Sequence, residues 1–549
     1  MNFQLLTNQP RANVLVEWEM PVPAAACEKN PYRAEEVACL LTLQLNDITR
    51  CVSGFYYEEY GVDAEGRVKP KAAVSPTFRF RSTLPQAGLW NYTLTVKIDS
   101  NVAETSAGTV EIEESHTPSA ALQIEPIRKQ NFANQAGEPV VLFGQNMESL
   151  NGVPAADFGK TTAATMRELQ KHGGNYLYVY DNTFNCSRIK AKVNQMRQDV
   201  CAMWDYIFET AEQTGVYLHF ALLNQNELRA LFPKSVWHKD QGGFIDDPCA
   251  FFEDIETKAA VKNYLRYVVS RWGYSQHLLG WELVHCADCN ASFALGKIPP
   301  VQAWLAEMLA CVRETDAHKH LCSLSVCFPS TLPALYHGFD FLGYPQKNYS
   351  GVGQIAEMQK HVTRAYGCPA LIIRTGIYSE TAMCAGGVFP EDLAPFHQQN
   401  WAGVMGGGAG TAMNGEWREA EAIDAMRDFK PLQEFAQQIP WRDPSLQSVT
   451  INAFLPKNGR IGVQGYRCDT GAYLWFFDLL YLPIDRSKEI VFEEEPLSFA
   501  MPNGEYRVCW YDTRTGETVQ KTTLSVTDGK ASLVMPDWSK DIALAITAQ

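Results

Sequence analysis

Between residues 285 and 289 the chain reads His285-Cys286-Ala287-Asp288-Cys289. A Cys-x-x-Cys pair beside a histidine carries zinc-ligand types, and the same spacing serves dithiol redox chemistry. A structural zinc needs four ligands, and no second Cys-x-x-Cys or histidine pair lies nearby in the sequence. The expectation is therefore no metal and no cofactor, with two reduced thiols lining a pocket. Glu380 and Glu416 are carboxylates of the kind that serve as general acid or base, although a solvated loop position or an ion pair to Arg374 is the more ordinary use. Tyr344, Tyr349, Trp401 and Trp417 offer flat aromatic faces. Trp237 and His238 precede Gly242-Gly243 on a long connection, where binding residues tend to gather.

The elements that must hold these residues fall into three zones. From about 12 to 115 apolar and polar residues alternate, as in Phe78-Arg79-Phe80-Arg81 and Trp90-Asn91-Tyr92-Thr93-Leu94-Thr95-Val96. Gln86-Ala87-Gly88 predicts a turn joining these two as an antiparallel hairpin of a β-sandwich. From about 120 to 440 short apolar runs alternate with amphipathic helices. The runs are Val140–Phe143, Tyr176–Tyr180, Val216–Leu222, Leu278–Leu283, Leu321–Val326, Phe339–Leu342, Ala370–Ile373 and Gly410–Met413. Val261, Tyr264, Leu265 and Val268 show the helical period, as do Val301, Trp304, Leu305, Met308 and Val312. Eight such units predict a (β/α)8 TIM barrel, whose active-site candidates sit at the C-terminal strand ends. The competing doubly wound sheet would want a glycine-rich phosphate loop, which Phe143-Gly144-Gln145-Asn146 is not. From 441 the β pattern returns, with Tyr506–Tyr511 leading into an Asp512-Thr513-Arg514-Thr515-Gly516 turn. The expected domains are 1–118, 119–440 and 441–549, an antiparallel β-sandwich on each side of the barrel.

Composition narrows the partners. The 549 residues are 46% hydrophobic and 11% aromatic, which excludes disorder as the dominant state. A net charge of -15 argues against nucleic acid and against anionic membranes. No run approaches the roughly 18–20 apolar residues of a membrane span. Fifteen scattered cysteines and an N-terminus without a secretion pattern point to a cytoplasmic protein with reduced thiols. A homo-oligomer is compatible with all of this.

Leu265-Arg266-Tyr267-Val268-Val269-Ser270-Arg271-Trp272-Gly273-Tyr274-Ser275, followed by Gly280-Trp281-Glu282-Leu283, resembles bacterial glycoside hydrolase barrels of clan A, similar to the family 5 group. In that group the segment precedes a fourth strand reading Trp-Glu-Leu-x-Asn-Glu. The resemblance extends to both ends of the chain, through Val52-Ser53-Gly54-Phe55-Tyr56, Gly88-Leu89-Trp90-Asn91-Tyr92, Gly504–Val508 and Trp510–Thr513. It implies retaining hydrolysis by two carboxylates about 5–5.5 Å apart. Laid over this sequence, the motif puts His285 where the family has asparagine and Cys286 where it has its acid/base glutamate. The seventh-strand motif falls on Pro369–Gly376 and puts Arg374 at the nucleophile. The family's second-strand arginine falls on Tyr178. Losing that arginine together with the carboxylate it serves is electrostatically coherent, because it would repel Arg374. The resemblance thus implies a protein catalytically degenerate at both positions and retained for carbohydrate binding or an interaction role, with His285, Tyr178, Tyr344 and Trp417 as binding candidates. The alternative is an active glycosidase using relocated carboxylates such as Glu380 or Glu416. Glu282, opposite Leu283 by alternation, reads as structural.

Overall fold

Tyr176-Leu177-Tyr178-Val179-Tyr180 is buried at every position. Its three tyrosines join one core and Leu177 and Val179 another, the double burial of a parallel strand covered by helices. The structure, a computed structural model, describes residues 2–64, 66–71, 74–147, 157–180, 188–327, 333–346, 352–375, 394–413, 424–449, 459–480 and 489–549. Within them seven strands form one parallel sheet in chain order. They are β1 (Gly144–Asn146), β2 (Tyr176–Tyr180), β3 (Tyr217–Ala221), β4 (Leu278–Glu282), β5 (Leu321–Ser325), β6 (Phe341–Gln346) and β7 (Ala370–Thr375). Between and after them run α1 (Phe158–Lys171), α2 (Gln198–Thr214), α3 (Ile255–Trp272), α4 (Ile298–Thr315), α5 (Val352–Tyr366), α6 (Ala394–Met405) and α7 (Phe429–Ala436). Local chemistry sets their limits. Asp254 accepts the Thr257 N–H at 2.7 Å to start α3. Gly215 ends α2 at φ 71°, a left-handed position that costs glycine nothing.

The sheet curls into a nearly closed barrel. The expected first strand is divided: Pro139–Val140 pairs antiparallel with Phe132–Ala133, and the barrel strand itself starts at Gly144. The expected eighth strand makes no ladder among the described residues. Gly410 instead forms a single parallel bridge to Leu142, Thr411 donates to the Leu142 carbonyl at 2.8 Å, and Met413 donates to the Ile372 carbonyl at 3.0 Å. A Cβ on Gly410 would lie 2.5 Å from that Leu142 carbonyl, so the approach depends on glycine. The small antiparallel sheet of Gln123–Ile124, Phe132–Ala133 and Pro139–Val140 packs under the strand beginnings, where Phe132 meets Phe341 edge-on at 5.3 Å.

Two four-stranded antiparallel sheets precede the barrel and share one core that includes Trp18, Leu41, Phe80, Trp90 and Val96. The predicted hairpin is corrected here. Thr77–Thr83 pairs with Leu15–Pro21 and Phe55–Tyr57, whereas Gly88–Ile98 pairs with Val37–Leu45 and Asn101–Ile112. Gln86–Gly88 therefore leads from one sheet to the other. Both strands keep their apolar faces on the shared core, which is why alternation alone could not tell pairing from facing. After the barrel, Gly504–Tyr511 and Thr518–Val526 do pair across the predicted turn, in a six-stranded antiparallel sheet. Among the described residues no helix is long and apolar enough to cross a membrane.

The Arg271-Trp272-Gly273-Tyr274-Ser275 stretch joins the first sheets to the barrel. Arg271, fully buried, grips Asp205 of α2 with two hydrogen bonds of 3.1 and 2.6 Å. Arg81 reaches the same carboxylate from the N-terminal sheet at 2.7 Å, and the Trp272 indole donates to it at 2.8 Å. Thr83 donates to the Tyr274 carbonyl at 2.6 Å. Burial raises the Asp205 carboxyl, but Arg271 and Arg81 outweigh it and hold it well below the usual range.

Candidate active site

At the C-terminal end of the barrel a buried polar chain crosses four strands. The β3–β4 ladder steps from Leu218↔Leu278 to His219↔Gly280, so β4 carries one extra residue. Beyond this bulge Trp281 and Leu283 pack toward the helices, and Glu282 lies inside the barrel with no exposure. The orientation expected from alternation therefore holds. Its surroundings are richer than a purely structural reading suggests. Tyr178 of β2 and Ser325 of β5 donate to Glu282 Oε1 at 2.8 and 2.7 Å, and His219 Nε2 of β3 lies 3.2 Å from Oε2. His219 also meets the Tyr176 hydroxyl at 2.9 Å and the Ser323 hydroxyl at 2.7 Å.

His285 continues the fourth strand's path. Its N–H donates to the Leu223 carbonyl at 2.8 Å, its ring stacks on Tyr180 at 5.6 Å, and Nδ1 sits 2.7 Å from the Tyr178 hydroxyl. On its far side Nε2 sits 3.4 Å from Cys286 Sγ. The result is one polar relay linking Cys286, His285, Tyr178 and Glu282. Burial raises the Glu282 carboxyl, but its hydrogen bonds with His219 and His285 prevail and bring it down to about 2. Near neutral pH Glu282 has no proton to give, and Tyr178, Ser325, His219 and His285 surround it. It orients Tyr178 and, through it, His285.

Cys286 has a left-handed backbone at φ 54°, uncommon outside glycine, and its N–H donates to Ser325 Oγ at 2.8 Å. The turn separates the two halves of the Cys-x-x-Cys. Cys286 faces His285, while Asp288 and Cys289 gather with Cys327, just past β5. Asp288 Oδ1 accepts the Cys327 N–H at 2.7 Å.

The remaining sequence candidates separate. Tyr178 and His285 belong to the relay. Arg374 is half-buried on β7, one residue before its end. Tyr344 is corrected: it is fully buried in the core shared with the helices, and its hydroxyl donates to Gln359 of α5 at 2.8 Å, so it does not line the mouth. Phe341 faces the barrel interior while Leu342 and Tyr344 share the helix-facing core, so the strand's alternation itself carries Tyr344 away from the mouth. Trp401 is also core, stacked on Trp475 at 6.1 Å. Trp237 is buried and donates to Glu227 at 2.9 Å, and His238 caps Asp240 at 3.1 Å. Glu380, Glu416, Trp417 and Tyr349 lie outside the described residues. His219, Ser325 and Cys327 were missed. A signal existed for two of them: His219 interrupts the apolar run Val216–Leu222, and Ser323 and Ser325 flank Leu324 with the period of an inward face.

No protein-family model and no curated protein matches the chain. Among solved structures it is similar to a candidate glycoside hydrolase from Bacteroides vulgatus, at 13% identity over 99% of this chain and 100% of that one, with a TM-score of 0.64. A second structure, named glycoside hydrolase, matches at 12% identity over 78% of this chain and 98% of that one, with a TM-score of 0.51. The chain has a glycoside-hydrolase-like fold.

Proposed function

We propose that the protein is a clan A-type glycosidase relative without the two-carboxylate machinery, retained to bind carbohydrate. In this reading residues 119–440 are a (β/α)8 barrel whose eighth strand is the Gly410–Met413 segment. Residues 1–118 and 441–549 are its flanking β-sandwiches. The observation that supports the reading is the buried contact between Cys286 and His285. Cys286, which the motif aligns with the family's acid/base, is tied into a relay that ends on a buried, ionised Glu282. A thiol, with an ordinary pKa of about 8.5, protonates a glycosidic oxygen poorly. Arg374, at the nucleophile's position, stays protonated and repels the positive charge that develops at the anomeric carbon. Both groups oppose the transition state.

Purified protein is therefore expected to show no turnover above background on aryl β-glycosides, β-mannosides or soluble β-glucans. A glycan array is expected to show binding that weakens in Tyr180→Ala. Turnover that survives Cys286→Ala/Arg374→Ala but vanishes in Glu380→Gln or Glu416→Gln would overturn the reading in favour of relocated carboxylates.

A further inference from the structure

We propose that Asp288, Cys289 and Cys327 form a site for a thiophilic divalent cation, zinc foremost, on the barrel rim between β4 and β5. One ligand atom from each residue lies within 4.8 Å of the other two. In a tetrahedral zinc site, with Zn–S near 2.3 Å and Zn–O near 2.1 Å, ligand atoms stand roughly 3.4–3.8 Å apart. The 4.8 Å bound is therefore within about 1–1.4 Å of the spacing a zinc ion imposes. The backbone itself is fixed from several directions: Ala287 donates to the Ser325 carbonyl at 2.8 Å, Cys289 to the Cys286 carbonyl at 2.9 Å, and Val326 to the Gly343 carbonyl at 3.2 Å. Asn290 adds a side-chain bond to the Ala287 carbonyl at 2.7 Å.

The donor set decides the class of ion. Two thiolates and a carboxylate favour zinc over magnesium or calcium, which prefer oxygen cages. Three protein ligands leave a fourth position for water or a bound molecule, the pattern of open zinc sites. Asp288 is buried, while both cysteines are partly exposed, so an ion has a route in from solvent. The sequence pairs Cys289 with Cys286 by spacing. The fold pairs it with Cys327, thirty-eight residues later, because β4 and β5 are neighbours in the sheet. The proposal is independent of whether the barrel binds glycans.

The test loads the full-length, reduced protein with Zn2+ or Co2+ and measures metal by mass spectrometry after dialysis. One ion per chain is expected, with the near-ultraviolet thiolate-to-cobalt absorption of two sulfur ligands. Cys289→Ser and Cys327→Ser should each cut that absorption at least by half and weaken zinc at least tenfold, and Asp288→Asn should weaken it while keeping the absorption. Cys286→Ser should leave all three readings unchanged. No stoichiometric metal, loss of the signal in Cys286→Ser but not Cys327→Ser, or a Cys289–Cys327 disulfide that forms equally with and without zinc would overturn the site. Should a serine variant fail to fold, X-ray absorption of the zinc-loaded wild type decides: two sulfur neighbours near 2.3 Å support the site, and none or four overturn it.

Discussion

Glu282 shows how a single buried carboxylate earns its place through its neighbours. Burial raises its carboxyl, but His219 and His285 prevail and bring it from an ordinary 4.5 to about 2. A carboxyl more acidic in the folded than in the unfolded chain stabilises the fold fully above pH 5. That stabilisation is lost as pH falls from about 4.5 toward 2, and it is worth up to about 3 kcal/mol. Glu282→Gln is expected to unfold about 2–4 kcal/mol more easily at pH 7, since Tyr178 and Ser325 lose a charged acceptor. The variant should also lose less between pH 5 and pH 3 than the wild type. Urea denaturation at those three pH values checks both statements. Equal acid slopes in the two proteins would show that Glu282 does not carry the effect.

Between elements, the Arg81–Asp205–Arg271 cluster joins the N-terminal sheet, α2 and α3. Arg271 lies 5.3 Å from the Phe55 ring and 5.0 Å from that of Tyr57, so its guanidinium is also packed between aromatic faces. Removing the shared anion would leave the buried Arg271 without its carboxylate and Arg81 with Glu17 alone, at 2.8 Å. Asp205→Asn is therefore expected to cost about 3–5 kcal/mol. Arg271→Lys keeps the charge but loses the two-pronged grip on Asp205, and should also destabilise, by less. Chemical denaturation measures both, and limited proteolysis should show earlier cleavage within residues 1–118 in Asp205→Asn. A loss below about 1 kcal/mol would mean the joint is held by apolar packing instead.

Across the whole molecule, the barrel's last helices are tied to the C-terminal sheet through one histidine. His397 of α6 is fully buried, with Nδ1 3.4 Å from Asp428 and Nε2 3.2 Å from Asp541 of the C-terminal sheet. Nε2 also meets Thr513 at 3.1 Å. Burial lowers the imidazole's pKa, but the two carboxylates prevail and raise it to about 9. A histidine more basic in the folded chain stabilises it fully below pH 6.5, and the contribution fades as pH climbs through 9. The wild type should lose up to about 3 kcal/mol between pH 6.5 and 9.5, whereas His397→Gln should show a flat profile there from a lower start. Thermal unfolding at both pH values reads this directly, and a wild-type profile as flat as the variant's would refute it.

Periodicity in the sequence was enough to find β2, α3, α4 and the hairpin around Gly516, because burying one face or two leaves a mark on every second or every third and fourth residue. It also located the cysteine-rich segment after β4 and put Glu282 on the side opposite Leu283. Pairing left no such mark. Thr77–Thr83 and Gly88–Ile98 carry the same alternation whether they lie beside each other or face each other across a core, and only the folded chain separates those cases. Tyr344 looked like a rim aromatic, but it shares the helix-facing side of its strand with Leu342 and meets Gln359 there. The gathering of Cys327 with Asp288, and of His219 and Tyr178 with Glu282, depends on which strands are neighbours. Neighbour relations between strands come from closing the sheet, a property of the whole chain that local residue patterns do not record.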